Sequence, residues 1–315
     1  MRRFARLTPP SVQMDMVIES DSEESVVFVD KGNDNTQAID NNDLTVMLTD
    51  TELDSESDSY ELLDMVIDTV PSSAASSSAA PSQPPIISIP CYLDGTQPVD
   101  VLEVFGRTVS AIASRRGLSS CPFDLKVGKD LSQMEMRSEV FRMIEQRRPK
   151  LLVTSPPCTM YSKLQRLWNV KKMSPEEYKR RKAIAEEYLR FSHTCNKVQH
   201  NAGRSFAHEH PAGASSWFED STEAVVALPG TYNARFDQCQ FGLTSPRGTP
   251  MRKRTQILCN NAWLFHALNG CKCRRGSHTH KQIMGHEDGH RLSTWSEIYP
   301  PALCNTLLDA CCDNA

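Results

Sequence analysis

The pattern of apolar and polar positions divides the chain near residue 98. Residues 11–70 hold only short apolar islands, such as Val26–Val29 and Leu62–Ile67, in a background of Asp, Glu, Ser and Asn. That much apolar surface is too little to offset the chain entropy lost on folding, so residues 1–71 are expected to be disordered. Residues 72–97 are rich in Ser, Ala and Pro, the composition of a flexible linker. Beyond them, strand-like and helix-like patterns alternate. Val99–Phe105, Cys121–Val127, Leu151–Thr154, Ser205–His208, Ala234–Phe241 and Thr255–Leu258 read as strands. Thr108–Arg116, stopped by Gly117, reads as a helix, as does Gln133–Arg148, stopped by Pro149, with Met136, Val140, Phe141 and Ile144 on one face. Ser174-Pro-Glu-Glu177 has the form of a capping box, and the helix it opens spaces Ile184, Tyr188, Phe191, Cys195 and Val198 along one core-facing stripe. Together these elements predict an α/β domain over residues 98–315, its sheet mostly parallel and covered by helices on both faces.

Charge sharpens this division. Residues 1–90 carry 17 acidic and 4 basic side chains, net −13, whereas residues 91–315 are net +9; the overall −4 hides an acidic tail on a basic body. A basic body is the electrostatic footprint of a nucleic-acid binder, although solvated surfaces share it. The run Lys179-Arg180-Arg181-Lys182 lies on the striped helix, so most of it should face water. The islands of the tail could serve as motifs for a protein partner of unknown kind. No run approaches the ~18 apolar residues that span a membrane, and Met1–Pro10 lacks the apolar core of a leader. With an odd number of cysteines, 11, and no framework-like spacing, an intracellular, reduced protein is expected, a nuclear location being one option.

Candidate chemistry is concentrated at Leu151–Ser162. Ser155, Pro156 and Pro157 stop the Leu151–Thr154 strand and present Cys158 just beyond it, where open α/β sheets place ligands and reacting groups. A free cysteine is also a small apolar filler, but a rigid Pro-Pro turn favours a functional one. A second pattern, Cys271-x-Cys273-x4-His278-x-His280, with His286 and His290 beyond, lies in a short Cys/His-rich segment, residues 259–295. These groups could bind zinc, but structural zinc sites usually use C-x2–4-C. Zinc is therefore not expected; a basic, His-rich loop touching nucleic acid is the competing reading.

Pro156-Pro157-Cys158-x-x-Tyr161-Ser162 resembles the Pro-Pro-Cys-x-x-Phe-Ser motif of S-adenosylmethionine-dependent DNA cytosine-5 methyltransferases. Further segments follow the order of that family: Asp100–Gly106 at the first strand and turn, Asp124 after the second strand, Asp130-Leu131, Glu209-His-Pro, Arg252-Lys-Arg254 and Tyr299–Leu303. The resemblance covers roughly residues 98–312 and implies a Rossmann-like methyltransferase fold. It implies S-adenosylmethionine as cofactor, held by Phe105, Gly106, Asp124, Asp130 and Pro156, and cytosine in DNA as substrate, with RNA as the other candidate. Cys158 would be the thiolate that adds to carbon 6, Glu209 the acid at ring nitrogen N3, and Arg252 or Arg254 the donor to the carbonyl at position 2. A strand slipped by one residue would instead turn Lys253 and Thr255 inward. The Ser-Pro-Pro-Cys and Glu-His-Pro signatures also resemble domains of mobile-element polyproteins.

The chain departs from the family at several points. Only Gly106 remains of a glycine-rich first turn, and Arg107 follows it. Pro250 stands where the Arg motif has glutamine, and Ser296-Glu297 where Gly-Asn is usual. Residues 259–295 are far shorter than the family's target-recognition domain. A decayed, nucleic-acid-binding module of a retroelement-derived polyprotein is the alternative these departures favour.

Overall fold

A computed structural model describes residues 97–163, 170–274 and 276–313. The acidic region expected at 1–71 and the linker up to residue 96 lie outside the described residues.

The chain runs β1 (Val101–Val104), α1 (Thr108–Arg115), β2 (Ser120–Phe123), α2 (Met134–Arg147), β3 (Leu151–Thr154), α3 (Pro175–Asn201), β4 (Ser205–Pro211), α4 (Asp220–Val226), β5 (Tyr232–Asp237), β6 (Arg254–Cys259), α5 (Ala262–Leu268) and α6 (Pro301–Leu308). A two-residue hairpin, β7 (His286–Glu287) and β8 (His290–Arg291), precedes α6. The six long strands form one sheet in the order β2-β1-β3-β4-β6-β5. β2, β1, β3 and β4 are parallel, and β6 runs against both of its neighbours.

Alternation along the strands builds two cores. Leu102, Val104, Phe123, Leu152, Phe206 and Leu258 face α2 and α3, meeting Val140, Ile144, Leu189 and Cys195. Val101, Leu151, Val153, Ala207, Ile257 and Cys259 face α1, α5 and α6, meeting Val109, Ala113, Leu264, Leu303 and Leu307. The fold is thus a three-layer, Rossmann-like α/β sheet, mostly parallel, with helices on both faces. Among the described residues no helix is long and apolar enough to cross a membrane.

Several elements differ from the sequence expectation for local reasons. The second strand stops at Phe123 because the Asp124 carboxylate accepts from Lys126 N at 2.8 Å, turning Leu125–Val127 into a 3₁₀ helix. The Ala234–Phe241 strand begins at Tyr232 and ends at Asp237, where the 3₁₀ turn Gln238–Phe241 takes over. The Ser205–His208 strand extends to Pro211, so Glu209 and His210 sit within it. Ser174 caps α3 by accepting from Glu177 N at 3.2 Å, but the Glu177 side chain pairs outward with Arg180 and Arg181 instead of closing the box. The buried face of α3 is rotated from the apolar stripe: Phe191 and Cys195 are inside and Ile184 is 37 % exposed. Ser192, His193, Asn196 and Gln199 are buried in its place. Gln199 Nε2 explains part of this, donating to Pro149 O (2.7 Å) and Ser205 O (3.1 Å) and so satisfying carbonyls that flank β3 and β4.

From β1 the chain moves to β2 on one side and returns to β3 on the other. The carboxyl ends of β1 and β3 therefore flank a topological switch point, the position where open α/β sheets form a ligand crevice.

Candidate active site at the carboxyl ends of the parallel strands

The turn after β1 is closed by its own acid. Glu103 is fully buried, and its carboxylate accepts from Ser110 N (2.7 Å) and Val109 N (3.2 Å), capping the first turn of α1. Burial pushes this carboxyl up to about 7, against the pull of those backbone donors. Phe105 adopts a left-handed φ of 62°, and its ring lies 5.1 Å from that of Tyr188. A Cβ on Gly106 would stand 2.6 Å from Glu103 Oε1, so glycine is required by the closeness of that carboxylate. Arg107 follows at the N-cap, partly exposed, its carbonyl accepting from Ala111 N at 3.0 Å and its side chain without a hydrogen bond or ion pair among the described residues. Gly106→Ala should displace Glu103 from the α1 amides and cost about 1–3 kcal/mol in urea unfolding. In a Glu103→Ala background the same change should cost clearly less; equal costs in both backgrounds would refute the clash.

Asp124 and Asp130 lie at the end of β2, both partly exposed. Each carboxylate already closes a turn, Asp124 on Lys126 N and Asp130 on Ser132 N at 2.9 Å; the latter bond holds the Asp130 carboxyl below its usual range.

After β3, Pro156 is buried and its carbonyl accepts from His210 Nε2 at 2.9 Å. That bond places the ring proton on Nε2, so Nδ1 accepts from Ser216 Oγ at 2.6 Å. Burial holds the His210 pKa below the usual value, and the neutral ring is a strut under the Pro-Pro turn. Cys158 follows, partly exposed, with its carbonyl accepting from Tyr161 N and Ser162 N, both at 3.0 Å. Its thiol is pushed up to about 11 by burial and then by the Glu209 carboxylate, with Lys253 pulling the other way.

Glu209 is buried in β4, and its Oε1 has no hydrogen-bond partner although Lys253 Nζ stands 3.8 Å away. The Tyr299 hydroxyl hydrogen-bonds to Glu209 and meets Ser155 Oγ at 2.8 Å. Lys253 is held by donation to Ser296 O at 3.2 Å. The structure thus brings Cys158, Glu209 and Lys253 together, with Tyr299 behind them. It does not bring Arg252 or Arg254 to Glu209. Arg254 is exposed and pairs with Asp237 at 3.6 Å, and the charge of Arg252 acts on His280. The inward cation is the lysine of the slipped register, whose partner Thr255 is buried and bonded to Gln238 Nε2 at 2.9 Å. Pairing of Asp237 with Arg254 and of Pro211 with Thr255 fixes that register. Beside the turn, Pro157, Met160, Ile184 and Tyr188 line an open cleft of about 240 Å³.

Behind the site runs a buried polar network that apolar periodicity does not reveal. His208 Nδ1 meets Thr154 Oγ1 at 2.9 Å, and Asn196 Nδ2 donates to the same oxygen at 3.2 Å. The His193 ring centre lies 4.6 Å from that of His208, the rings tilted by 55°, and His193 Nδ1 bonds to Ser221 Oγ at 3.1 Å. Burial holds His208 well below its usual pKa and takes His193 down to about 3.

Of the Cys/His-rich segment, Cys273, His278 and His280 come together, but Cys271 does not join them: its thiol donates to Ala267 O at 3.4 Å. Cys239, from the turn after β5, takes the fourth place. Compared with protein-family models and with curated proteins, the chain matches none.

Proposed function

We propose that residues 98–313 form an S-adenosylmethionine-dependent methyltransferase acting on carbon 5 of cytosine in DNA, with RNA as the other candidate substrate. The observation that carries this reading is the meeting of Cys158, Glu209 and Lys253 at the carboxyl ends of β3 and β4. Carbon 5 of cytosine is a poor nucleophile until a thiolate adds at carbon 6. Cys158 Sγ would form that S–C6 bond while the C5–C6 π pair shifts to carbon 5. The unbonded Glu209 Oε1 would serve N3, and Lys253 would donate to the carbonyl at position 2, the role first assigned to Arg252 or Arg254. Bound S-adenosylmethionine supplies an electrophilic methyl group. Once carbon 5 carries it, that carbon gives its proton to solvent, the S–C6 bond breaks and its electron pair returns to sulfur. A base paired within a duplex would have to be flipped out to reach these groups.

The turn after β1 fits the cofactor in altered form. Glu103 already uses the amides of Val109 and Ser110, so Arg107 is the group left to meet a carboxylate there. Tyr188, against which the Phe105 ring packs, borders the cleft beside Pro157, and Asp124 and Asp130 remain the candidates for ribose and adenine. Titration calorimetry with S-adenosylmethionine tests this: heat of binding is expected, weakened about tenfold or more in Arg107→Ala. No heat together with no thermal shift would end the enzyme reading. The occupied α1 amides favour a second reading, a nucleic-acid-binding module of mobile-element origin without catalysis. It predicts salt-dependent DNA binding by the net +9 body and no cofactor binding.

A further inference from the structure

We propose that Cys239, Cys273, His278 and His280 form a closed, structural zinc site that braces the segment carrying Lys253. One ligand atom from each residue lies within 4.8 Å of the other three. Zinc at 2.3 Å from sulfur and 2.0–2.1 Å from nitrogen would draw such atoms to separations of about 3.3–3.8 Å, a contraction of roughly 1 Å. Part of it is already present: Cys273 Sγ is 3.5 Å from His278 Nε2, and the His278 and His280 rings stand 4.4 Å apart. His280 Nε2 is buried with no hydrogen-bond partner, an unmet group that a ligand bond would satisfy. Two thiolates, two neutral imidazoles and Zn²⁺ sum to zero charge, so the site can be closed without another counter-ion. All four positions are filled by protein, leaving none open for water or substrate, which marks a structural site and not a catalytic one.

The surrounding chain shows what such a site would hold. From Asn269 to Gly285 the backbone has no regular helix or strand among its described residues, and its apolar burial is slight. A stretch of this length inside a compact domain needs another source of order. Its ties include Asp237 Oδ2, which accepts from Cys273 N at 2.8 Å, Asp237 N, which donates to Cys271 O at 3.0 Å, and Lys281 N, which donates to Pro250 O at 2.8 Å. Cys239 lies in the 3₁₀ turn whose first residue, Gln238, donates its backbone N–H to Lys253 O at 3.0 Å. A metal joining Cys239 to the 273–280 loop would therefore restrain the turn that is hydrogen-bonded to the Lys253 backbone. C-x-C spacing argues against zinc only when both cysteines are taken as ligands. Replacing Cys271 with a residue 34 positions before Cys273 removes that objection.

The test is elemental analysis of the full chain, tag-free, purified from zinc-supplemented cells without chelator. About one zinc per chain is expected, falling at least fivefold in Cys239→Ser and in Cys273→Ser and unchanged in Cys271→Ser. Because the serine variants could misfold, the wild-type protein stripped of metal and titrated with cobalt(II) gives a second readout. It should develop the intense visible absorption of tetrahedral thiolate ligation at one equivalent. Less than about a tenth of an equivalent of zinc with no such absorption would overturn the proposal. So would equal zinc loss in Cys271→Ser, or a Cys239–Cys273 disulfide in metal-free protein kept under reductant.

Discussion

Cys158→Ser should abolish methyl transfer to cytosine-containing DNA, by at least about 10³-fold, or roughly 4 kcal/mol of barrier. Cys158 lies outside the apolar clusters of the core, so thermal unfolding should hardly change. DNA carrying 5-fluorocytosine should trap wild-type protein covalently, because fluorine at carbon 5 cannot leave as a proton. The adduct should be missing in Cys158→Ser, and an adduct that survives the change would mean another nucleophile. The neighbours leave a more specific signature. With its thiol pushed up to about 11, Cys158 is thiolate in only about one part in a thousand at pH 8, so its alkylation should keep rising with pH through 10. Glu209→Gln removes a charge that raises this pKa, so alkylation should quicken about threefold per unit of fall while methyl transfer collapses. Lys253→Met removes the opposing charge and should slow both reactions. If Glu209→Gln slowed alkylation, the carboxylate would not be acting on the thiol.

Much of the sheet is legible in the sequence because β-branched runs in a buried parallel sheet leave few alternatives, as at Leu151–Thr154. Strand ends were less legible. Asp124 ends β2 through a bond to its own backbone, which a hydrophobicity pattern does not contain. On α3, periodicity finds Phe191 and Cys195 but assigns Asn196 and Gln199 to water, since their burial depends on partners across the sheet such as Thr154 and the Pro149 carbonyl. Cys158 could be singled out locally, from a Pro-Pro turn, whereas Glu209 was named only through the motif order of the family it resembles. Lys253 could be named only as one of two registers, because strand β6 is aligned by β4 and β5 and not by its own residues. Cys239 was out of reach altogether: nothing near it in sequence signals a metal ligand, and only the return of the chain after β6 brings Cys273 to it.

The buried histidines should make the domain unusually sensitive to mild acid. His193, His208 and His210 are each about 1 % exposed, and burial holds all three below the usual pKa. Folded, they resist protonation; unfolded, each takes up a proton below about 6.5. A group with a depressed folded pKa gives its full stability above the unfolded value and loses it as pH falls, here between 6.5 and, for His193, about 3. Glu103 acts in the opposite sense. Its folded pKa of about 7 exceeds the unfolded value of 4.5, so the folded state holds one extra proton between these values and gains stability as pH falls. The protons that unfolded His193 and His208 bind, against the one that folded Glu103 holds, leave a net uptake of at least roughly one on unfolding near pH 5.5, and His210 adds to it. Stability should then fall by at least about 1.4 kcal/mol per pH unit. Urea unfolding of the wild type and two variants at pH 7.5, 6.5, 5.5 and 5.0 measures this slope. His193→Gln should flatten it by about 1.4 kcal/mol per unit and Glu103→Gln should steepen it by about the same amount, whatever either variant costs at pH 7.5. Parallel profiles for all three proteins would show that neither group carries a shifted proton in the folded state.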